Sequence, residues 1–350
     1  MNKIRVAIVD DSIVFRAFLK QALDRISEFE VVEVFDNPVN ALEKIPAITP
    51  IIDVVAVDME MPQMRGNEFI RKLFLKNPHI HSIVISSLSA NVFDAMQAGA
   101  VEFVAKPNTT PGYNQQLFIA DCVEAIKIAA VSKTRALLAS KQIVLPAAPP
   151  VVNAGANLGN PRSLIAIGAS TGGTEAILDV IKTFPADAPP VAIVQHMPPG
   201  FTASYADRLN NNCAMEVREA KHGDRLERGI ALLAPGGDLQ MRVIRKGAAY
   251  SIDLLNQGKV SGHCPSVDVL FESVAVAAGR DAVGVILTGM GKDGAEKMLE
   301  MKKAGAFNVG QSEASCVVYG MPRAAFEIGA VTEQAHVDKI GQIVLKYLSK

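Results

Sequence analysis

Tryptophan is absent from this chain of 350 residues, and cysteine is scarce at four. Cys122, Cys213, Cys264 and Cys316 lie far apart and never fall in C-x-x-C spacing, so neither a disulfide framework nor a zinc cluster is expected, and the compartment is expected to be reducing. Charge of one sign is lacking too: 35 Lys+Arg against 36 Asp+Glu leave a net −1. That balance lacks the basic surplus that draws proteins to phosphate backbones or anionic membranes, so no nucleic-acid partner is expected. No apolar run reaches the roughly 20 residues that cross a bilayer. The opening MNKIRVAIVDDS ends its short apolar stretch in two aspartates, unlike a leader peptide. The expectation is a cytoplasmic protein without direct membrane insertion.

What is present is ordinary globular material, 49% hydrophobic and 20% charged, which excludes a disordered, collagen-like or coiled-coil chain. At roughly one hundred to two hundred residues per domain, the length predicts two domains. In the first half, Ile4–Val9, Val31–Phe35, Val54–Val57, Ile83–Ile85 and Phe103–Ala105 are β-rich, and the segments between them carry helical spacing, as in Val14, Phe18, Leu19, Leu23 and Ile26. This alternation predicts a (βα)5 doubly wound parallel sheet over 1–125. The fifth helix, from Gln115, can run to Leu138, and 126–161 reads as a helix extension and a linker rich in Ala, Pro, Asn and Gly. Over 162–350 a second alternation begins, with strands at Leu164–Ile167, Val191–Gln195 and Val283–Leu287 and helices at Glu175–Lys182, Ala203–Leu209 and Ala295–Lys303. Ile230–Ala234, Leu239–Val243 and Tyr250–Leu254 are spaced for hairpins. The prediction is a doubly wound, mostly parallel α/β domain with an antiparallel β insertion.

In a parallel sheet the carboxyl ends of the strands form one rim, where functional groups collect. In the first half that rim receives Asp10 and Asp11, then Asp58, Ser86 and Lys106. Clustered carboxylates repel unless a cation joins them, and oxygen ligands suit Mg²⁺. The same set fits an aspartate that becomes phosphorylated, with Lys106 and a metal offsetting charge and Ser86 donating to a phosphoryl oxygen.

Val9-Asp10-Asp11-Ser12, Asp58-Met59-Glu60-Met61-Pro62, Ser86-Ser87 and Ala105-Lys106-Pro107 closely resemble the receiver domain of two-component response regulators. The resemblance implies Asp58 as phospho-acceptor. It implies Mg²⁺ among Asp10, Asp11, Asp58 and the Glu60 backbone carbonyl, with Ser86 as switch hydroxyl, Lys106 as phosphate partner and Phe103 as switch aromatic. A CheA-type histidine kinase is the implied phosphodonor. Arg65 stands where receivers commonly carry an acidic residue.

In the second half, Gly168-Ala169-Ser170-Thr171-Gly172-Gly173 follows a strand and precedes a helix. As a dinucleotide turn it fails at Ser170, where the second glycine belongs. A structural turn and a G-x-S-x-G nucleophile turn both remain, the second with backbone N–H groups of a helix start able to receive an oxyanion. A serine nucleophile needs a base, and the base a carboxylate. Of six histidines, His196 ends a core strand of this half, whereas His222, His263 and His336 fall in loops or exposed turns. Leu287-Thr288-Gly289-Met290-Gly291-Lys292-Asp293-Gly294 fails as a P-loop, since Asp293 follows Gly-Lys, but it delivers Asp293 to the rim. The residues therefore read as a Ser170, His196, Asp293 hydrolase. A non-enzymatic output that binds DNA or a partner is the alternative, but no basic recognition helix supports the DNA version.

These stretches, with His263-Cys264-Pro265-Ser266-Val267-Asp268 and Tyr319-Gly320-Met321-Pro322, closely resemble the catalytic domain of the chemotaxis protein-glutamate methylesterases, the CheB family. The resemblance implies phosphorylation-activated hydrolysis of glutamate γ-methyl esters on methylated chemoreceptors, releasing methanol, and deamidation of receptor glutamines, with no cofactor for the esterase step. It also implies oxyanion donors from the backbone at Met290 and Thr171. Cys264, Ala306 and Ser312 depart from common family residues, which points to altered receptor preference with the chemistry kept.

Overall fold

The structure, a computed structural model, describes residues 3–48, 52–87, 92–107, 114–132 and 160–350. The chain divides into two compact units, Met1–Ile143 and Val144–Lys350, each taken by itself below.

The first unit alternates β1 (Ile4–Val9), α1 (Ile13–Asp24), β2 (Phe29–Phe35), α2 (Pro38–Ile48), β3 (Val54–Asp58), α3 (Gly66–Lys76), β4 (His81–Ser86), α4 (Val92–Ala98), β5 (Ala100–Ala105) and α5 (Gln115–Val131). Its sheet has the order β2-β1-β3-β4-β5 with every pairing parallel. β3 is buried along its whole length, as a central strand covered on both faces must be. At the starts of α1 and α5 side chains accept otherwise unpaired N–H groups: Ser12 Oγ takes the N–H of Phe15, and Asn114 Oδ1 those of Gln116 and Leu117. α5 ends at Val131, with Ser132 in extended backbone. Its last turns still bury Ile126, Ile128 and Ala129. The expected run to Leu138 and most of the expected linker lie outside the described residues.

The second unit holds a seven-stranded sheet and a smaller one. Its elements are β6 (Leu164–Ala169), α6 (Gly173–Ile181), β7 (Val191–Gln195), α7 (Thr202–Asn212), β8 (Glu216–Glu219), β9 (Arg225–Leu226), β10 (Ile230–Leu233), β11 (Gln240–Lys246), β12 (Ala249–Leu255), α8 (Val267–Ala277), β13 (Ala282–Ile286), α9 (Ala295–Lys303), β14 (Phe307–Gln311), α10 (Met321–Glu327), β15 (Glu333–Ala335) and α11 (Val337–Leu348). The large sheet, β15-β14-β13-β6-β7-β10-β8, is parallel throughout, and β11-β12-β9 is antiparallel. The predicted insertion is therefore present, but Ile230–Leu233 is not part of its hairpin. That run pairs parallel with β7 and β8. Its residues Ala231, Leu232 and Leu233 are all buried, the continuous apolar pattern of a strand covered on both faces rather than the alternation of a half-exposed hairpin.

Two glycines lodge the start of α8 against the centre of the large sheet. A Cβ on Gly168 would fall 2.2 Å from Val267 Cγ1, and one on Gly294, at φ +87°, 2.4 Å from the same atom. The absence of those side chains lets Val267 sit between the end of β6 and the loop after β13. Gly168→Ala is expected to lower stability by about 1–3 kcal/mol through overpacking, whereas Val276→Ala, at a side chain 86% exposed, should leave it within about 0.5 kcal/mol. Denaturant midpoints of the full chain check both, and an unchanged midpoint for Gly168→Ala would contradict the packing described.

Candidate active site and acidic pocket

The three middle strands of the large sheet carry the second unit's site. Ala169 pairs with Gln195 across β6 and β7, and Gly168 with Ile286 across β6 and β13. Ser170 and His196 are therefore the next residues after one register pair, and the chain beyond β13 runs alongside them. The joins continue past the strands: His196 N–H donates to Ala169 O at 3.1 Å and Ser170 N–H to Thr288 O at 3.0 Å. Gln195 Nε2 donates to Ser170 O at 2.9 Å and to His196 O at 3.1 Å, fixing both turns from one side chain.

Asp293 is 2% exposed and accepts from four donors. His196 Nε2 lies 2.7 Å from Oδ2, Ser266 Oγ 2.8 Å from Oδ1, and the N–H groups of Val267 and Asp268 lie 2.8 and 2.9 Å away. The last two belong to the first turn of α8, whose orphan N–H groups and dipole favour a negative charge. Burial alone would raise this carboxyl, but the hydrogen bond and charge of His196, with the backbone donors, hold it below the usual aspartate range. Asp268 answers in the other direction, its Oδ1 accepting the Gly294 N–H at 3.0 Å and its Oδ2 the Ser261 hydroxyl at 2.6 Å. Burial raises the Asp268 carboxyl.

With Nε2 engaged by Asp293, the other ring nitrogen of His196, Nδ1, is buried and has no hydrogen-bond partner among the described residues. A neutral imidazole with Nε2–H directed at a carboxylate presents Nδ1 as an acceptor. The face of this ring stacks on His263, centroids 3.7 Å apart and planes 14° from parallel. The sequence reads His263 as a loop or exposed-turn residue; the structure keeps it in a loop but sets its ring against His196. Its neighbours Ser266 and Asp268, which hold Asp293, were likewise not predicted to do so. Only their place in the His263-to-Asp268 stretch marked them, because contacts across the fold leave no periodicity to read.

Gly289 closes the other side of Ser170. A Cβ there would lie 2.7 Å from Ser170 Cβ, so the Gly289 backbone packs against the serine. Gly289 N–H donates to Val318 O, and Gly289 O accepts from Gly320 and Met321. Thr288 Oγ1 donates to Thr171 O at 2.9 Å, tying the Ser170–Thr171 turn to this loop. Met290 is half-exposed and Thr171 buried. Of the departing residues, Cys264 is half-buried beside His263, its thiol raised by burial. Ala306 is buried, and Ser312 N–H donates to Ala335 O.

In the first unit, ligand oxygens of Asp10, Asp11 and Asp58 all lie within 4.8 Å of one another. Asp10 and Asp58 are buried and Asp11 is exposed. Lys106 Nζ reaches Asp10 at 3.0 Å and Asp58 at 3.1 Å, and it sits 4.5 Å above the Phe15 ring. Burial pushes the Asp58 carboxyl up against the pull of Lys106. Burial would lower Lys106, but Asp58 and Asp10 outweigh it and raise the amine. The Glu60 N–H donates to Asp58, which sets that peptide beside the cluster. Asp58 pairs with Ile85 and Ser86 with Ala105, so buried Ser86 stands one residue beyond Asp58 on the neighbouring strand. Phe103 is buried, edge-on to Phe93 at 6.5 Å. Arg65 precedes α3 and makes no capping bond from its side chain.

This geometry has known counterparts. Residues 165–344 match the family model for CheB methylesterase, and residues 6–116 that for the response regulator receiver domain. A protein-glutamate methylesterase/protein-glutamine glutaminase of Syntrophomonas wolfei is 45% identical over 351 residues, covering 100% of this chain and 99% of that protein. One of Salmonella typhimurium is 43% identical over 353 residues, covering 100% of this chain and 98% of its own. The crystal structure of the Thermotoga maritima CheB methylesterase catalytic domain aligns over 53% of this chain and 98% of that one, at 32% identity and a TM-score of 0.52.

Burial of His263, reinforced by the neighbouring His196, lowers its pKa from 6.5 to about 4. Between those values an unfolded chain takes up a proton that the fold refuses, so the unfolded state binds more protons and stability falls as pH drops through the window. Full-length His263→Phe should accordingly lose less stability than the wild type between pH 6.5 and 4. Chemical denaturation across pH checks this, and equal losses would contradict it.

Proposed function

From membership of the CheB methylesterase family, to which this chain belongs with a receiver domain ahead of the catalytic one, we propose that Ser170, His196 and Asp293 are its hydrolytic triad. The chain is a protein-glutamate methylesterase and protein-glutamine glutaminase of chemotaxis. The observation that carries the triad is the 2.7 Å bond between buried Asp293 and His196 Nε2, made at the strand end beside Ser170.

Ser170 Oγ attacks the ester carbonyl as its proton passes to Nδ1 of His196. Asp293 stays ionised, fixes the tautomer and stabilises the imidazolium that forms. Charge on the carbonyl oxygen is received by backbone N–H groups at Met290 and Thr171. The C–O bond to the methoxy group then breaks, His196 returns the proton, and methanol leaves an acyl-serine. Water repeats the sequence, with His196 as base, and releases glutamate. With a glutamine side chain the leaving group is ammonia and the steps are otherwise the same.

Control comes from the receiver. Asp58 is the phospho-acceptor, with a CheA-type histidine kinase as donor and methylated chemoreceptors in the cytoplasm as substrate. The acidic cluster fits a hard divalent cation, because its oxygen donors converge while the nearby Lys106 covers two of them. Asp10, Asp11, Asp58 and the Glu60 carbonyl would hold Mg²⁺, which supplies positive charge to offset that of the phosphoryl group. Lys106 pairs with a phosphoryl oxygen, Ser86 donates to another, and Phe103 follows Ser86. A binding-only output has less support, since it gives no role to a buried carboxylate and imidazole beside a serine.

Ser170→Ala, His196→Gln and Asp293→Asn should each lower methanol release by about 10⁴-fold, with residual activity above water. Wild-type turnover in all three would end the triad assignment. Asp58→Asn should abolish the acceleration produced by a small phosphodonor such as acetyl phosphate and leave basal methanol release in place. Acceleration that persists in this variant would remove Asp58 as the acceptor.

A further inference from the structure

We infer that His263 is a positioning residue for the hydrolytic step: its ring, stacked on His196, holds that imidazole in the plane where Nε2 meets Asp293 and Nδ1 stays available to Ser170. The inference rests on the triad reading above. A hydrogen bond to one carboxylate fixes one ring atom but leaves rotation about that bond, and a second contact on the face removes it. The 3.7 Å, 14° stack supplies that contact.

His263 is itself anchored. Its N–H donates to Val260 O and its carbonyl accepts from Val260, each at 2.9 Å. Gln240, fully buried, donates from Nε2 to His263 O at 3.0 Å and to Gly258 O at 2.9 Å, while its Oε1 accepts the Ser266 N–H at 2.7 Å. One side chain thus fastens the residue that faces His196 and the residue whose hydroxyl holds Asp293. The same short stretch, 263–268, supplies the wall for the base and the donors for its carboxylate. Burial keeps the His263 ring neutral near pH 7, so protonation of His196 does not meet a second positive charge. During turnover the proton passes from Ser170 Oγ to His196 Nδ1 and on to the leaving oxygen; His263 neither gains nor loses one.

The test uses the full chain, treated with acetyl phosphate and assayed for methanol release from a methylated chemoreceptor cytoplasmic fragment, together with ¹⁵N NMR of the His196 ring. His263→Ala should lower kcat by about 10- to 100-fold, the range expected of a slightly misplaced catalytic group, with KM within about twofold. It should also replace a single Nε2–H tautomer of His196 with a mixture. His263→Phe restores a flat face without a titrating group and should return kcat to within about threefold of wild type and restore the single tautomer. Unchanged kcat and tautomer in His263→Ala would overturn the inference. So would a His263→Phe variant as slow as the alanine one, because the imidazole itself would then be required. Ser170→Ala separates the two readings: methanol release retained there defeats the triad, whereas the His196 tautomer in the His263 variants judges the stack alone.

Discussion

A negative charge buried at the start of a helix organises the catalytic edge. Asp293 can remain ionised out of water only because Ser266, Val267, Asp268 and His196 all donate to it. Removing one partner of such a buried group typically costs about 3–5 kcal/mol, since the charge left behind has nowhere to go. The helix start must therefore sit where the carboxylate is, and Gly168 and Gly294 allow this by leaving room for Val267. Packing at the sheet centre, helix capping and the orientation of the His196 ring are one linked arrangement. A shift in any one of them is felt at the His196 ring.

The receiver handles the same difficulty differently. Asp10 and Asp58 are buried side by side, and a single amine, Lys106, lies within about 3 Å of both. Asp11 is exposed at the rim of this pair. In the catalytic unit the fixed dipoles of a helix and a hydroxyl hold one charge permanently. In the receiver one amine bridges two buried carboxylates, and a third carboxylate beside them stays exposed.

Much of this was legible in the sequence because parallel sheets put chemistry at strand ends. β1, β3, β4 and β5 were marked by runs of Val, Ile and Phe, and their ends carry Asp10, Asp58, Ser86 and Lys106. The same logic found Ser170 and His196, which follow β6 and β7 directly, and Asp293 in the loop after β13. Less legible was Ile230–Leu233, where spacing suggested a hairpin but burial on both faces makes a parallel strand. β8, β9, β14, β15 and the helices α8, α10 and α11 carry no assignment from the sequence. Short edge strands such as Glu333–Ala335 carry too few apolar residues to show alternation. His263 was hidden for another reason: its role depends on a ring contact with a residue 67 positions away, and local sequence does not encode such a meeting.

Covalent labelling of the nucleophile tests the central claim most directly. A fluorophosphonate that reacts with activated serines, added to the full-length chain and located by peptide mass spectrometry, should modify Ser170 in the wild type. Labelling of that peptide should fall away in Asp293→Ala, where the base loses its partner. Modification confined to another serine, or labelling of Ser170 undiminished without Asp293, would contradict an account in which that buried carboxylate arms the site.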